Sequence, residues 1–291
     1  MKKIIISALI AVCGLFFSCN KDTDEPDPNV IEEGVLVNRI DESYGSDPKQ
    51  KFNIFIPQGH STTATPVLFF IHGGGWNSGD KQDFDSTIAS YKRLFSYYAI
   101  VTINYRLYNN GNNKFPAQEQ DIKSCIEYVL IHSTDYGISQ RFGIIGVGEG
   151  AQFGLLYAYK YGNNSYKPSV VVDWSGETDL MAAYKQTSSS SIKTKISNVA
   201  GNITTADSMM YINSSPLHFL ASSSSAPSLV LHGFYDTLVS SQQADLLKNK
   251  LQMLGVPHTY KLYSTENNSF STAATTDALT QIKNFITVYL Y

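Results

Sequence analysis

Pro66-Val67-Leu68-Phe69-Phe70-Ile71 runs directly into His72-Gly73-Gly74-Gly75-Trp76. Six apolar residues in a row, with no polar alternation, predict a short strand buried on both faces, as in the middle of a parallel sheet. The three glycines that follow carry no side chain. Bare backbone N–H groups can therefore approach a ligand oxygen closely at the end of that strand.

Outward from this stretch the pattern alternates. Strands are expected at 34–40, 51–56, 99–105, 142–147, 169–174, 228–232 and 258–263, with turn chemistry at Tyr44-Gly45-Ser46-Asp47-Pro48. Helices are expected at 83–98, 116–132, 150–161, 240–254 and 276–289, where apolar residues recur at helical spacing, as in Ile122, Ile126 and Val129. Residues 179–215 are polar, serine-rich and weakly periodic, and read as an insertion over the sheet. Strand–helix alternation predicts an α/β fold with a mostly parallel sheet and helices on both faces. In such a sheet a binding site lies at the carboxyl ends of the strands.

The chain has 291 residues, 43% hydrophobic, with a formal net charge of −3. That charge offers no footprint for nucleic acid, and no metal or cofactor is expected. Residues 1–18 (Met1-Lys2-Lys3, then an apolar run) read as a secretory signal too short for a membrane span. The run ends Phe16-Phe17-Ser18-Cys19, which resembles a bacterial lipobox. The resemblance implies acylation of Cys19, an anchor in the outer membrane and a cell-envelope location. Residues 19–33 are acidic and proline-bearing and read as a tether. Their early acidic residues resemble surface-export tags. The remaining residues, 34–291, form the expected globular domain. Cys125 has no partner left in a mature chain and reads as a core thiol.

Several motifs after the strands are similar, in order and spacing, to one family. They are His72-Gly73-Gly74-Gly75-Trp76, Asn104-Tyr105-Arg106-Leu107, Phe115-Pro116-Ala117-Gln118 with Asp121, Trp174-Ser175-Gly176 with Thr178-Asp179, Ser214-Ser215-Pro216, and Leu231-His232-Gly233 with Asp236. Together they resemble the HGGG-type esterase/lipase α/β-hydrolases, in the BD-FAE (feruloyl-esterase-like) branch. The resemblance implies a Ser–His–Asp triad acting on esters. It also implies an oxyanion loop at His72, Gly73, Gly74 and Gly75 with the N–H of position 149, and a pocket near Trp76, Tyr105, Trp174 and Ser175.

The chain departs from that pattern at two triad positions. The family elbow is Gly-x-Ser-x-Gly; here it reads Gly146-Val147-Gly148-Glu149-Gly150, so Gly148 stands at the nucleophile position and no acyl-enzyme can form there. Asp236 stands at the acid position. The base is expected in the turn Glu266-Asn267-Asn268-Ser269-Phe270, where Asn268 cannot usefully accept a proton. Glu149 would repel an oxyanion beside it.

The expectation is therefore a catalytically impaired or non-catalytic, esterase-like protein that binds a glycan or ester-like ligand or serves as an accessory to a surface polysaccharide system. One alternative is an active hydrolase with a displaced nucleophile, Ser175 first among the candidates. Another is dinucleotide binding, since Gly146-x-Gly148-x-x-Ala151 followed by Asp173 matches that fingerprint.

Overall fold

The computed structural model describes residues 36–162, 164–203 and 208–290. The signal, Cys19 and tether lie outside the described residues. Among the described residues eight strands form one sheet: β1 (Val37–Ser43), β2 (Lys51–Ile56), β3 (Val67–Ile71), β4 (Ala99–Ile103), β5 (Phe142–Val147), β6 (Val170–Trp174), β7 (Ser228–Gly233) and β8 (His258–Tyr263). Their spatial order is β1-β2-β4-β3-β5-β6-β7-β8. The pairs β1–β2 and β2–β4 are antiparallel, and β3 to β8 all run parallel.

Parallel strands need crossovers, and helices supply them. They are α1 (Asp85–Leu94), α2 (Ala117–Ile131), α3 (Glu149–Lys160), α7 (Gln242–Met253) and α8 (Thr272–Tyr289). The period-2 geometry of a strand divides each apolar run between two cores. On β3, Val67, Phe69 and Ile71 join α2, α3 and α7, whereas Leu68 and Phe70 join α1 and α8. All five β3 side chains are buried, a gross hydrophobic contribution on the order of 10 kcal/mol before entropy is subtracted.

Some boundaries move. The helix expected over 83–98 is a 3₁₀ turn (Lys81–Phe84) followed by the shorter α1. The strand expected to reach residue 105 ends at Ile103. Among the described residues the insertion holds three short helices, α4 (Leu180–Gln186), α5 (Ser190–Ala200) and α6 (Ser208–Asn213). Two of them start at side-chain caps: Asp179 accepts from Ala182 N and Ser189 from Ile192 N.

The motif residues after β4 build scaffold. Arg106 forks onto Asp121, with Nε–Oδ2 at 2.9 Å and Nη2–Oδ1 at 2.7 Å, and the Arg106 N–H donates to the same carboxylate. Asn104 ties its strand end to the turn before α1, accepting from Lys81 N and donating to Asp80.

Candidate functional site

The elbow between β5 and α3 is built by two glycines that permit close approach. A Cβ on Gly146 would lie 2.3 Å from Ala151 Cα, and one on Gly150 would lie 2.2 Å from Ile71 O. The helix therefore starts hard against the strand ends. Between them Gly148 adopts φ 55°, ψ −126°, a conformation strained for any residue with a Cβ. Its N–H donates to Trp174 O at 2.9 Å. Space is not the obstacle at Gly148: a Cβ there would meet only Gly73 Cα, at 3.8 Å.

The glycine loop after β3 faces this elbow, and one of its N–H donors is already in use. The N–H of Gly74 donates to Glu149 Oε2 at 2.9 Å. The sequence predicts that Glu149 repels an oxyanion. The geometry is more direct: the carboxylate itself takes the N–H, because the helix N-terminus and the glycine loop together favour an anion there. The insertion closes the other side of the loop. Lys195 of α5 lies against Gly75, its Nζ only 2.6 Å from where a Cβ would stand.

A cavity of about 600 Å³ opens beside the loop, at the carboxyl ends of β3, β5 and β6. Its walls include Gly73, Gly74, Val147, Trp174, Asn268 and Phe270. Trp174 and Phe270 pack ring against ring at 5.3 Å. Asn268 thus shares a cavity with the glycine loop. It is exposed, and its amide donates to Ser269 Oγ, at 3.3 Å. Phe270 belongs to the same turn as Asn268, and no sequence signal marks its place in the wall.

Asp236 lines a different, smaller cavity. Its side chain is buried, with Oδ1 accepting from Leu238 N (2.8 Å) and Val239 N (2.9 Å) and Oδ2 3.6 Å from His232 Nε2. His232 is a fully buried residue of β7. Its Nε2 donates to Val239 O, its Nδ1 has no partner among the described residues, and burial pushes its pKa down, so it is held neutral. Gly148, Asp236 and Asn268 surround the strand ends, but none is hydrogen-bonded to another.

Three expected pocket residues are corrected. Trp76 is buried, its indole N–H donating to Gln152 Oε1 at 2.8 Å, and Gln152 in turn holds Ser214 O. Tyr105 is buried, stacked on His72 at 4.4 Å, with its hydroxyl on His72 O. Ser175 is buried with φ 58°, and its Oγ has no partner among the described residues and no access to solvent. None of the three lines either cavity; of the four, only Trp174 does. His72 does line the larger cavity, but its Nδ1 donates to Gly73 O at 2.7 Å and its Nε2 is buried.

The dinucleotide fingerprint also finds a packing explanation. Gly146 and Gly150 serve strand–helix contact, and Asp173 is wholly buried with Oδ1 on Gly176 N at 2.8 Å, out of reach of a ribose. Burial pushes Asp173 up to about 7, so it holds its proton well above the usual carboxylate range. Glu177 carries no sequence signal. It is 4% exposed, its Oε2 lacks a partner among the described residues, and its pKa is raised by burial first and then by the charge of Glu149.

A family model described as BD-FAE matches residues 52–251. The probable carboxylic ester hydrolase LipM of Mycobacterium tuberculosis is 28% identical over 193 residues, which is 63% of this chain and 44% of that protein. Arylacetamide deacetylase of Bos taurus is 27% identical over 137 residues, 45% of this chain and 32% of that protein. The chain thus spans less than half the length of these curated relatives. Among solved structures, a bifunctional GH43-CE protein of Bacteroides eggerthii superposes with a TM-score of 0.74 at 20% identity, over 87% of this chain and 38% of that one. Esterase B of Lactobacillus rhamnosis does so with 0.71 at 17% identity, over 89% and 88%. At these identities the structures show the fold alone.

Proposed function

The chain belongs to the BD-FAE family of esterase-like α/β-hydrolases, and we propose that it is a member without ester-cleaving chemistry that holds a glycan or ester-like ligand beside its glycine loop. One observation carries this reading: the residue at the elbow is Gly148, and the next residue, Glu149, occupies the Gly74 N–H with its own carboxylate. A hydrolase needs a nucleophile at the first position and a free donor at the second. Here there is no side chain to attack, and a developing oxyanion would have to displace a tethered carboxylate.

Binding remains available. The cavity of about 600 Å³ lies in the range of small-molecule sites, and Trp174 and Phe270 give it an aromatic wall. Asn268 at its rim can donate and accept hydrogen bonds without moving a proton. The test is turnover of p-nitrophenyl acetate by the full chain, beside an active esterase. The reading predicts a rate no higher than buffer, and catalytic turnover abolished by a serine-directed inhibitor would sink it.

We further propose that Cys19 is acylated and anchors the protein to the outer membrane of a bacterial envelope, exposed at the surface. The support is the Phe16-Phe17-Ser18-Cys19 end of the apolar run and the acidic residues after it. Metabolic labelling with an alkynyl fatty acid is expected to mark the chain and not its Cys19→Ala form. Equal labelling of both would rule the anchor out.

A further inference from the structure

The chain leaves β6 through Asp173-Trp174-Ser175-Gly176-Glu177, and three side-chain oxygens are buried there. Asp173 Oδ2, Ser175 Oγ and Glu177 Oε2 have no hydrogen-bond partner among the described residues. Ser175 also takes φ 58°, a left-handed conformation for a residue with a Cβ. Both features cost free energy. Main-chain bonds hold the turn shut over them. Trp174 O accepts from Gly148 N and Ser175 N donates to Leu231 O, both at 2.9 Å, and Gly176 N donates to Asp173 Oδ1 at 2.8 Å. Thr178 N closes the far end by donating to Gln243 Oε1 of α7 at 3.0 Å. A strained turn held by a handful of bonds belongs to the parts of a fold that open locally.

Two of the three oxygens are acidic, and among the described residues no cationic side chain is set against them. Asp173 faces the Tyr159 phenol of α3, Glu177 and the N–H of Gly176. Glu177 faces Glu149 at the start of α3, Asp236 on the loop between β7 and α7, Asp173, the Tyr105 phenol beyond β4, and its own backbone N–H. Only the two N–H groups favour a carboxylate, and burial outweighs them. It pushes Asp173 up to about 7 and Glu177 well above the usual carboxylate range. Trp174, between the two acids in sequence, points to the opposite face of the sheet, where it packs on Phe270 at 5.3 Å in the wall of the larger cavity. A shift of the turn therefore moves that wall.

We propose that this turn is a proton-operated latch on the larger cavity: protonated Asp173 and Glu177 keep it closed with Trp174 in the wall, and release of their protons to water opens it and withdraws Trp174. A carboxyl freed into solvent regains its ordinary acidity, so the open form gains on the closed form as pH rises. The gain begins above the ordinary carboxylate value and, for Asp173, ends at about 7, where the closed form ionises as well. The latch acts on the cavity wall and stands whether or not an ester or glycan occupies the cavity.

Amide hydrogen exchange of the full-length chain tests it, read from the peptide spanning 173–178 between about pH 5 and about pH 7 and corrected for the intrinsic pH dependence of exchange. Protection is expected to fall about tenfold or more per pH unit, one proton being released per opened carboxyl. Acrylamide quenching follows the wall. Of the two tryptophans Trp76 is buried and Trp174 half-buried, so quenching should rise over the same pH range. The variant Asp173→Asn/Glu177→Gln cannot ionise and should show neither change. Protection that does not vary with pH in the wild-type chain, or that varies as steeply in the double variant, overturns the proposal. Opening of the turn with unaltered quenching overturns its cavity part. If circular dichroism finds the double variant unfolded, Asp173→Asn alone decides: it should remove about tenfold per pH unit from the slope, and an unaltered slope overturns the proposal.

Discussion

In a Gly148→Ser/Asn268→His background, Glu149→Ala is expected to raise hydrolysis of an activated ester by about two to three decades. The starting variant has room for its nucleophile, since a Cβ at position 148 would meet only Gly73 Cα at 3.8 Å. A histidine at position 268 would share the cavity lined by Gly73 and Gly74. What still opposes the reaction is the carboxylate on Gly74 N, at 2.9 Å. One oxyanion donor is worth about 10²–10³ in turnover, and here that donor is both occupied and flanked by a like charge. Alanine is the informative replacement, because a glutamine amide oxygen could accept the same N–H. Gly148→Ser alone should stay inactive, since triad members act as a unit.

The restored rate should remain below that of an intact esterase. Asp236 is turned toward Leu238, Val239 and His232 and must reorient to support the new base. A serine at φ 55° also costs on the order of 1–3 kcal/mol of stability, so folding is followed by urea denaturation beside the rate. Equal rates with and without the Glu149→Ala change would mean that the carboxylate does not hold this donor in solution.

Gly146→Ala is expected to lose about 4 kcal/mol or more of stability, whereas Gly148→Ala loses only the backbone strain of about 1–3 kcal/mol. The contrast follows from what each new methyl meets. At position 146 the neighbours are Ala151 Cα at 2.3 Å, Ala151 N at 2.4 Å and Gly150 O at 2.4 Å, all backbone. Ordinary overpacking costs about 1–3 kcal/mol because side chains can turn aside; here α3 would have to lift off β5. Urea midpoints of the two variants give the comparison, and a larger loss at position 148 than at 146 would contradict it.

The parts of the fold fixed by local chemistry were readable in the chain. A continuous apolar run as short as 67–71, followed by glycines, suits a buried strand between helices, and the three glycines after it mark a loop at the sheet's working end. The elbow is located through the family resemblance, with Gly146 and Gly150 flanking Gly148 in the Gly-x-Ser-x-Gly order.

The pocket was less readable, because what an aromatic side chain lines depends on distant partners. Trp76 and Tyr105 follow strands and look like cavity walls. Gln152, 76 residues on from Trp76, and the His72 carbonyl, 33 residues before Tyr105, draw them into the core instead. Glu149 shows the same limit. Its charge was legible, but not that Gly74, 75 residues earlier, would meet it as a hydrogen-bond donor. Glu177 could be found only once burial was known. The helices of the insertion did leave a signal, Asp179 and Ser189 at capping positions, obscured by the serine-rich stretch around them.

The central claim is that no serine of this protein is an activated nucleophile. Exposing the full chain to a fluorophosphonate and weighing it intact tests this most directly, with an active esterase as control. The expected result is an unchanged mass under conditions that modify the control completely. A stoichiometric adduct, mapped by fragmentation to any serine and lost on replacing that serine, would contradict it.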